Sequence, residues 1–124
     1  MAKRVLSVGQ CMPDQAAISR YLKQQFGADV ETADTADETM SSLHNGPFDL
    51  VLINRIFDAD GGSGLDLVKV IKNDPVTGNL PVMLVSNFAD AQQRAVSVGA
   101  EPGFGKAQLG DSTVADSLRT FLGE

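Results

Sequence analysis

The chain has 124 residues, of which 43% are hydrophobic and 21% charged, and its formal net charge is −6. This length and balance predict one globular domain, residues 1–124, built around a single core. The acidic charge and the lack of a basic cluster argue against direct binding to nucleic acid, and no apolar run is long enough to span a membrane. A single cysteine, Cys11, cannot form an internal disulfide, so we expect a cytoplasmic protein.

Hydrophobic patterns predict five strands that alternate with five helices. Short runs of branched and apolar residues bounded by turn signals indicate the strands, which are expected at 4–8, 28–33, 50–53, 81–85 and 101–106. Apolar residues at helical spacing indicate the helices, which are expected at 13–26, 35–45, 64–72, 90–98 and 112–122.

Such an alternation with short connections favours the α/β class, a parallel sheet covered by helices on both faces. The three most apolar strands, 4–8, 50–53 and 81–85, are expected in the middle of the sheet and the two mixed strands at its edges. Polar residues that follow the central strands, above all Asn54, then lie where parallel sheets usually carry their functional groups.

Two helix starts have specific signals. Thr35 and Glu38 fit a capping box, in which the hydroxyl and the carboxylate accept hydrogen bonds from otherwise unpaired backbone N–H groups. Asp90 is predicted to cap the fourth helix, which should end near Gly99.

Four short motifs occur in a characteristic order along the chain. They comprise Phe48 to Ile53 before the active position, Gly64 to Leu67 at the start of a helix, Pro81 to Ser86, and Gly99 to Glu101 followed by Lys106. In order and spacing, over essentially the whole chain, they resemble a receiver domain of a two-component response regulator. The resemblance implies a flavodoxin-like fold with strand order 2-1-3-4-5 and a phosphorylation pocket at the carboxyl ends of the strands.

The resemblance breaks at the residues that carry the chemistry. A working receiver has a phosphoacceptor aspartate after the third strand, where this chain has Asn54. It also has an acidic pair that holds Mg²⁺ after the first strand, where this chain has Gly9 and Gln10. Its hydroxyl and its lysine are matched by Ser86 and Lys106.

Further departures lie near the end of the fifth strand. Ala107 replaces the proline that usually follows the lysine, and Gly103 stands at the position of the aromatic switch residue. The neighbouring Phe104 is expected to fill the core. The loop at 55–63 is roughly two residues longer than usual and carries Asp58 and Asp60.

These losses predict a domain that is not phosphorylated at the usual position. Phosphoryl transfer needs an anionic oxygen as nucleophile and a metal ion to neutralise charge, whereas the amide oxygen of Asn54 is neutral. Mg²⁺ usually needs one or two carboxylates, and Gly9 and Gln10 supply none. We therefore expect no metal site, no cofactor and no enzymatic activity.

The partner of Lys106 stays open at this stage. A buried ammonium without a partner costs several kcal/mol, so it must find a carbonyl, solvent or another acid. One alternative is a structural hydrogen bond to Asn54, and another is a contact with Asp58 or Asp60. A third is that Lys106, Ser86 and the Asn54 amide together bind a small anion.

The main functional hypothesis is a pseudo-receiver that acts as a protein-interaction module. By resemblance, its partner would bind the face formed by the fourth helix, the fifth strand and the fifth helix, residues 90–98, 101–106 and 112–122, and the chain would be a monomer or a weak homodimer. One alternative is phosphorylation on Asp58 or Asp60, and another is a small-ligand site in the strand-end crevice. Structural roles are expected for His44 and Cys11.

Overall fold

The computed structural model describes residues 2–123 as a parallel sheet with helices on both faces. The strands are β1 (Arg4–Val8), β2 (Asp29–Ala33), β3 (Leu50–Asn54), β4 (Val82–Val85) and β5 (Glu101–Phe104). The helices are α1 (Met12–Phe26), α2 (Ala36–Asn45), α3 (Gly64–Asn73), α4 (Ala89–Ser97) and α5 (Ser112–Leu122). Among the described helices, none is both long enough and apolar enough to cross a membrane.

The five strands lie in the order β2-β1-β3-β4-β5, and all four neighbouring pairs are parallel. This confirms the predicted α/β class, the flavodoxin-like strand order, and the placement of the mixed strands β2 and β5 at the edges. In the register, Val8 lies opposite Ile53 and Asn54 lies opposite Val85. The residues that follow β1, β3 and β4 therefore meet at one edge of the sheet.

Alternate side chains of the central strands enter two separate cores, because successive strand residues point to opposite faces of a sheet. Val51 and Ile53 pack with α2, α3 and α4, whereas Leu50 and Leu52 pack with α1 and α5. All four of these strand residues are fully buried. Phe104 joins the second core with only 3% of its surface exposed, as predicted.

The capping prediction for α2 is confirmed in part, and the one for α4 is wrong. The Thr35 hydroxyl accepts a hydrogen bond from the Glu38 N–H at 3.2 Å, but the Glu38 carboxylate accepts from the N–H of Asp34 rather than from that of Thr35. Helix α4 begins one residue earlier than expected, after Phe88, and Asp90 makes no capping hydrogen bond. Asp90 lies in the first turn instead, where a negative charge still favours the helix dipole.

Strand β5 is two residues shorter than predicted. It ends at Phe104, and residues Lys106–Gln108 form a 3₁₀ turn. Beyond this end, the Gly105 N–H donates to Oε1 of Gln108 at 2.7 Å. Lys106 therefore begins the 3₁₀ turn instead of ending the strand, and it lines the cavity at the strand ends.

Candidate functional site

Asn54, Ser86 and Lys106 come together at the carboxyl edge of the sheet. They line one cavity of about 270 Å³, which also includes Arg55 and Phe88. This is the position that the sequence predicts for the degenerate phosphorylation pocket. Gly9 adjoins it through its backbone, whereas Gln10 does not line it.

The Asn54 amide holds together the chain segments around this pocket. Its Nδ2 donates to the carbonyl oxygen of Gly9 at 3.0 Å and to that of Ile56 at 2.7 Å. Because both partners are acceptors, they require a donor at this position. A carboxylate in the same place would face two carbonyl oxygens without any hydrogen to share. The backbone around Asn54 is therefore arranged for an amide.

Gly9 leaves no room for an acidic side chain. Its φ of +75° lies in the left-handed region, which glycine adopts far more easily than other residues. A Cβ atom at Gly9 would also lie 2.5 Å from Cδ1 of Phe57, a buried residue of the loop at 55–63. The loop packs onto Gly9 further through the Asp58 N–H, which donates to the Gly9 carbonyl oxygen at 3.0 Å. A carboxylate at position 9 would require this packing to change.

Gln10 is turned away from Asn54. It lines a different cavity of about 290 Å³, together with Ser7, Thr32 and Asp34. Both side-chain polar atoms of Gln10 and the Ser7 hydroxyl are buried without a hydrogen-bond partner among residues 2–123. The two residues that replace the acidic pair thus contribute no side-chain ligand to the pocket at Asn54.

A Mg²⁺ ion of the receiver kind does not fit the residues present. The pocket contains no carboxylate, and the nitrogen of the Asn54 amide is committed to two carbonyls. Throughout residues 2–123, no three His, Cys, Asp or Glu side chains are grouped as metal ligands. Hard divalent cations of this size are usually held by carboxylates.

Lys106 pairs with Asp14, a residue that sequence reasoning missed. Its Nζ lies 2.7 Å from Oδ2 of Asp14, and about one third of each side chain is exposed. The first turn of α1 carries Asp14 to the end of β5, so the two groups meet although they are distant in sequence. The predictions that Lys106 binds Asn54, or that it pairs with Asp58 or Asp60, are therefore wrong.

Asp14 also binds the single cysteine. The Cys11 thiol donates to the same carboxylate oxygen at 3.0 Å. This hydrogen bond, followed by the one from Lys106, holds the pKa of Asp14 below its ordinary value of 3.8, against the opposing effect of burial. The carboxylate is thus charged at neutral pH and neutralises the lysine.

The remaining candidate residues are engaged in turns. The Ser86 hydroxyl accepts a hydrogen bond from the Phe88 N–H at 3.1 Å, and the Asp60 carboxylate accepts one from the Gly62 N–H at 2.8 Å. Asp58 and Asp60 are both exposed, and neither lines the cavity at Asn54. The three groups proposed to bind an anion, Lys106, Ser86 and the Asn54 amide, thus all have partners within the chain.

The Gly103 position cannot accept an aromatic ring without rearrangement. A Cβ atom there would lie 2.1 Å from the carbonyl oxygen of Leu84 and 3.0 Å from Oε1 of Gln92. Gln92 fills this space by bridging three segments: its amide donates to the carbonyl oxygens of Leu84 and Ser86, and it accepts from the Gly103 N–H at 3.1 Å. Sequence reasoning missed Gln92, although its place on the inner face of an otherwise apolar helix side could have indicated a structural amide.

His44 has the structural role that was expected. Its Nε2 lies 2.9 Å from the Asp74 carboxylate, and it links the end of α2 to the loop after α3. The pKa of Asp74 is lowered, first by a hydrogen bond from the Val76 N–H and then by His44. None of the groups around His44 belongs to the strand-end pocket.

No family model matches the chain. Two curated relatives align with most of it. The phosphate regulon transcriptional regulatory protein PhoB of Klebsiella pneumoniae is 29% identical over 94 residues, which is 76% of this chain and 40% of PhoB. A gliding motility regulatory protein of Myxococcus xanthus is 26% identical over 117 residues, 93% of this chain and 15% of that protein. The chain thus spans less than half the length of either relative.

Solved structures resemble the chain over its full length. A candidate response regulator from Chloroflexus aurantiacus aligns with a TM-score of 0.86 at 17% identity and covers 100% of both chains. The receiver domain of a DNA-binding response regulator from Colwellia psychrerythraea aligns with a TM-score of 0.81 at 22% identity, over 98% of this chain and 99% of that one. The fold is therefore that of response-regulator receiver domains.

Proposed function

We propose that this receiver-type domain is a signal-transduction module that works by binding a protein partner, without phosphorylation at the usual position and without Mg²⁺. The receiver fold and the sequence likeness to two regulatory proteins support a role in signalling. The altered pocket supports the loss of phosphorylation. The same pocket supports a module that acts by binding rather than by catalysis.

The observation that carries this proposal is the pair of hydrogen bonds from the Asn54 amide to the carbonyl oxygens of Gly9 and Ile56. A single substitution can remove the phosphoacceptor aspartate from a pocket whose other residues could still bind phosphate and a metal ion. Here the surrounding backbone uses the amide as a donor, and Gly9 has no space for the acid that a metal would need. The lysine that would contact phosphate is already neutralised by Asp14.

The partner surface proposed for this module is the face formed by α4, β5 and α5. A shallow cleft of about 150 Å³ lies on this face, between β5 and α5, and Pro102 and Phe121 contribute to its lining. The hydrogen bonds of Gln92 hold α4 in a fixed position against the ends of β4 and β5. This supports a face that is presented to a partner constantly rather than switched by phosphate.

A phosphorylation assay tests this proposal. The protein is incubated with Mg²⁺ and acetyl phosphate, alongside a response regulator with an intact acidic pair as positive control. We expect no gain in intact mass, and no NMR shifts at the amides of Asn54, Ser86 and Lys106. A labile adduct of one phosphoryl group would overturn the proposal. Asp58→Asn and Asp60→Asn variants would then show whether a loop acid had accepted the phosphoryl group.

A further inference from the structure

A second crevice lies beside the pocket, between the loop after β3 and helix α4. Its volume is about 430 Å³, which makes it larger than the cavity at Asn54. Arg55, Ile56 and Phe88 line both, so the two are continuous. Leu65 and Arg94 complete the main walls of this second crevice. We refer to it as the arginine crevice.

The two arginines of this crevice are not neutralised by the chain. Arg55 and Arg94 take part in none of the ion pairs found among residues 2–123, whereas Arg4, Lys106 and Arg119 each pair with a carboxylate. Arg55 is half-buried, and its Cζ lies 4.9 Å from the centre of the Phe88 ring. Such a cation–π contact orients the guanidinium while leaving its N–H donors free for a ligand.

Large apolar side chains stand exposed at the same place. Phe88 is 56% exposed and Ile56 45% exposed, and both line the crevice. Exposed apolar surface that is continuous and rimmed by polar groups usually marks a binding surface. Aromatic and arginine side chains are also the types that contribute most energy at protein interfaces.

The charge of the crevice differs in sign from that of the molecule. Its lining contains two arginines and one acid, Asp90, whereas the whole chain carries a net charge of −6. A positive site attracts a negatively charged ligand. On an acidic protein the remaining surface repels such a ligand, so the ligand is directed to this one site. Carboxylates match the geometry of a guanidinium, with which they form paired hydrogen bonds.

We infer that the arginine crevice binds a segment of a partner protein that presents an apolar side chain next to acidic residues. The apolar side chain would enter between Ile56, Leu65 and Phe88, and the acidic residues would pair with Arg55 and Arg94. The inference rests on the proposed function as an interaction module. The arginine crevice would be a second contact surface, separate from the α4, β5 and α5 face and on the side of α4 nearer to α3.

Selection from a random peptide library displayed on phage tests the inference on the full chain. We expect the enriched peptides to share an apolar residue flanked by acids. Binding of the best peptide should fall about tenfold or more in Arg55→Gln and in Phe88→Ala, as is typical of central interface residues. NMR shifts caused by the peptide should map to the loop after β3 and to α4.

Matched variants control for unrelated effects. Arg20→Gln removes an exposed arginine on α1, and Val76→Ala removes an apolar side chain that is 71% exposed in the loop after α3. Both should bind the peptide as well as the unmodified chain does. Because Arg55 and Phe88 are partly exposed, the test variants should also remain folded, which urea denaturation checks.

Other outcomes would overturn the inference. These are a library without enrichment, enriched peptides without acids, and peptides whose binding is unaffected by Arg55→Gln. Peptides that instead lose affinity in Phe121→Ala would place the interaction on the α4, β5 and α5 face and leave the proposed function standing. The phosphorylation assay is independent of all these results, so failure of the proposed function would be recognised separately.

Discussion

The two neighbouring crevices at the carboxyl edge of the sheet differ in how their polar groups are used. Around Asn54, the amide, the lysine and the serine hydroxyl all bind groups of the chain itself. In the arginine crevice, the guanidinium groups of Arg55 and Arg94 lack ion-pair partners among the described residues.

This difference separates a pocket whose polar groups already have partners from a crevice whose arginines do not. A polar group that already has its partners gains little from a ligand, because it must first give up an existing hydrogen bond. A charged group without a partner in the chain gives up only its hydrogen bonds to water. The family resemblance draws attention to the first crevice, whereas the physical state of its groups draws attention to the second.

The sharpest way to break this comparison is to return an acid to the first crevice at Gly9. Gly9→Asp should lower the free energy of unfolding by about 3 kcal/mol, because a side chain there combines left-handed strain with a clash against Phe57. Urea denaturation measures the change. Gly61→Asp is the matched control, since Gly61 also has a positive φ of +71° but no atom within 4 Å of its Cβ position. A loss no larger than that of the control would show that the pocket can still hold an acid.

A smaller effect on stability is expected when Asn54 is replaced by aspartate. Asn54→Asp should lower the free energy of unfolding by about 1–3 kcal/mol at pH 7, because the carboxylate would face two carbonyl oxygens. It would leave the Ile56 carbonyl without a donor, whereas the Gly9 carbonyl would keep the Asp58 N–H. The same variant should gain no mass with acetyl phosphate and Mg²⁺. Asn79→Asp, in an exposed loop, serves as the control. An unchanged stability together with phosphorylation would mean that the pocket has kept its original function.

The weakest effect concerns the ion pair of Asp14 and Lys106. Asp14→Asn should cost about 1 kcal/mol or less at pH 7, because both side chains are one third exposed and solvent screens the pair. The pKa of Asp14 is lower in the folded protein than its ordinary value of 3.8, so the carboxylate stabilises the fold above that pH. The difference between the variant and the unmodified chain should disappear as the pH falls through the folded pKa.

Urea denaturation across a pH series measures this dependence. Asp116→Asn is the matched control, since Asp116 forms an ion pair with Arg119 at 2.6 Å but is 74% exposed. It should change the free energy of unfolding less than Asp14→Asn does. An Asp14→Asn difference that persists in acid would mean that Asp14 acts through packing rather than through its charge.

Most of the fold could be predicted from local sequence patterns. Buried strands such as Leu50–Asn54 have a continuous apolar signature, and helix ends have chemical signals such as the Thr35 cap. Their alternation and short connections leave few possible arrangements of a parallel sheet. The family resemblance then predicted the strand order, which is confirmed. The sequence also shows Asn54 at the position where the resemblance leads us to expect an aspartate, and Gly9 and Gln10 where it leads us to expect an acidic pair.

Only the tertiary structure decided which groups pair with one another. Asp14 meets Lys106 although the two residues are distant in sequence. Gln92 is nearer in sequence to its partners Leu84, Ser86 and Gly103, but it reaches them only because α4 packs against β4 and β5. The arginine crevice likewise needs the loop after β3 and helix α4 to lie side by side. Sequence determines which chemical groups are present and which local structure they favour. The packing of the helices onto the sheet determines their neighbours, and so decides whether a polar group is already satisfied or is available to a partner.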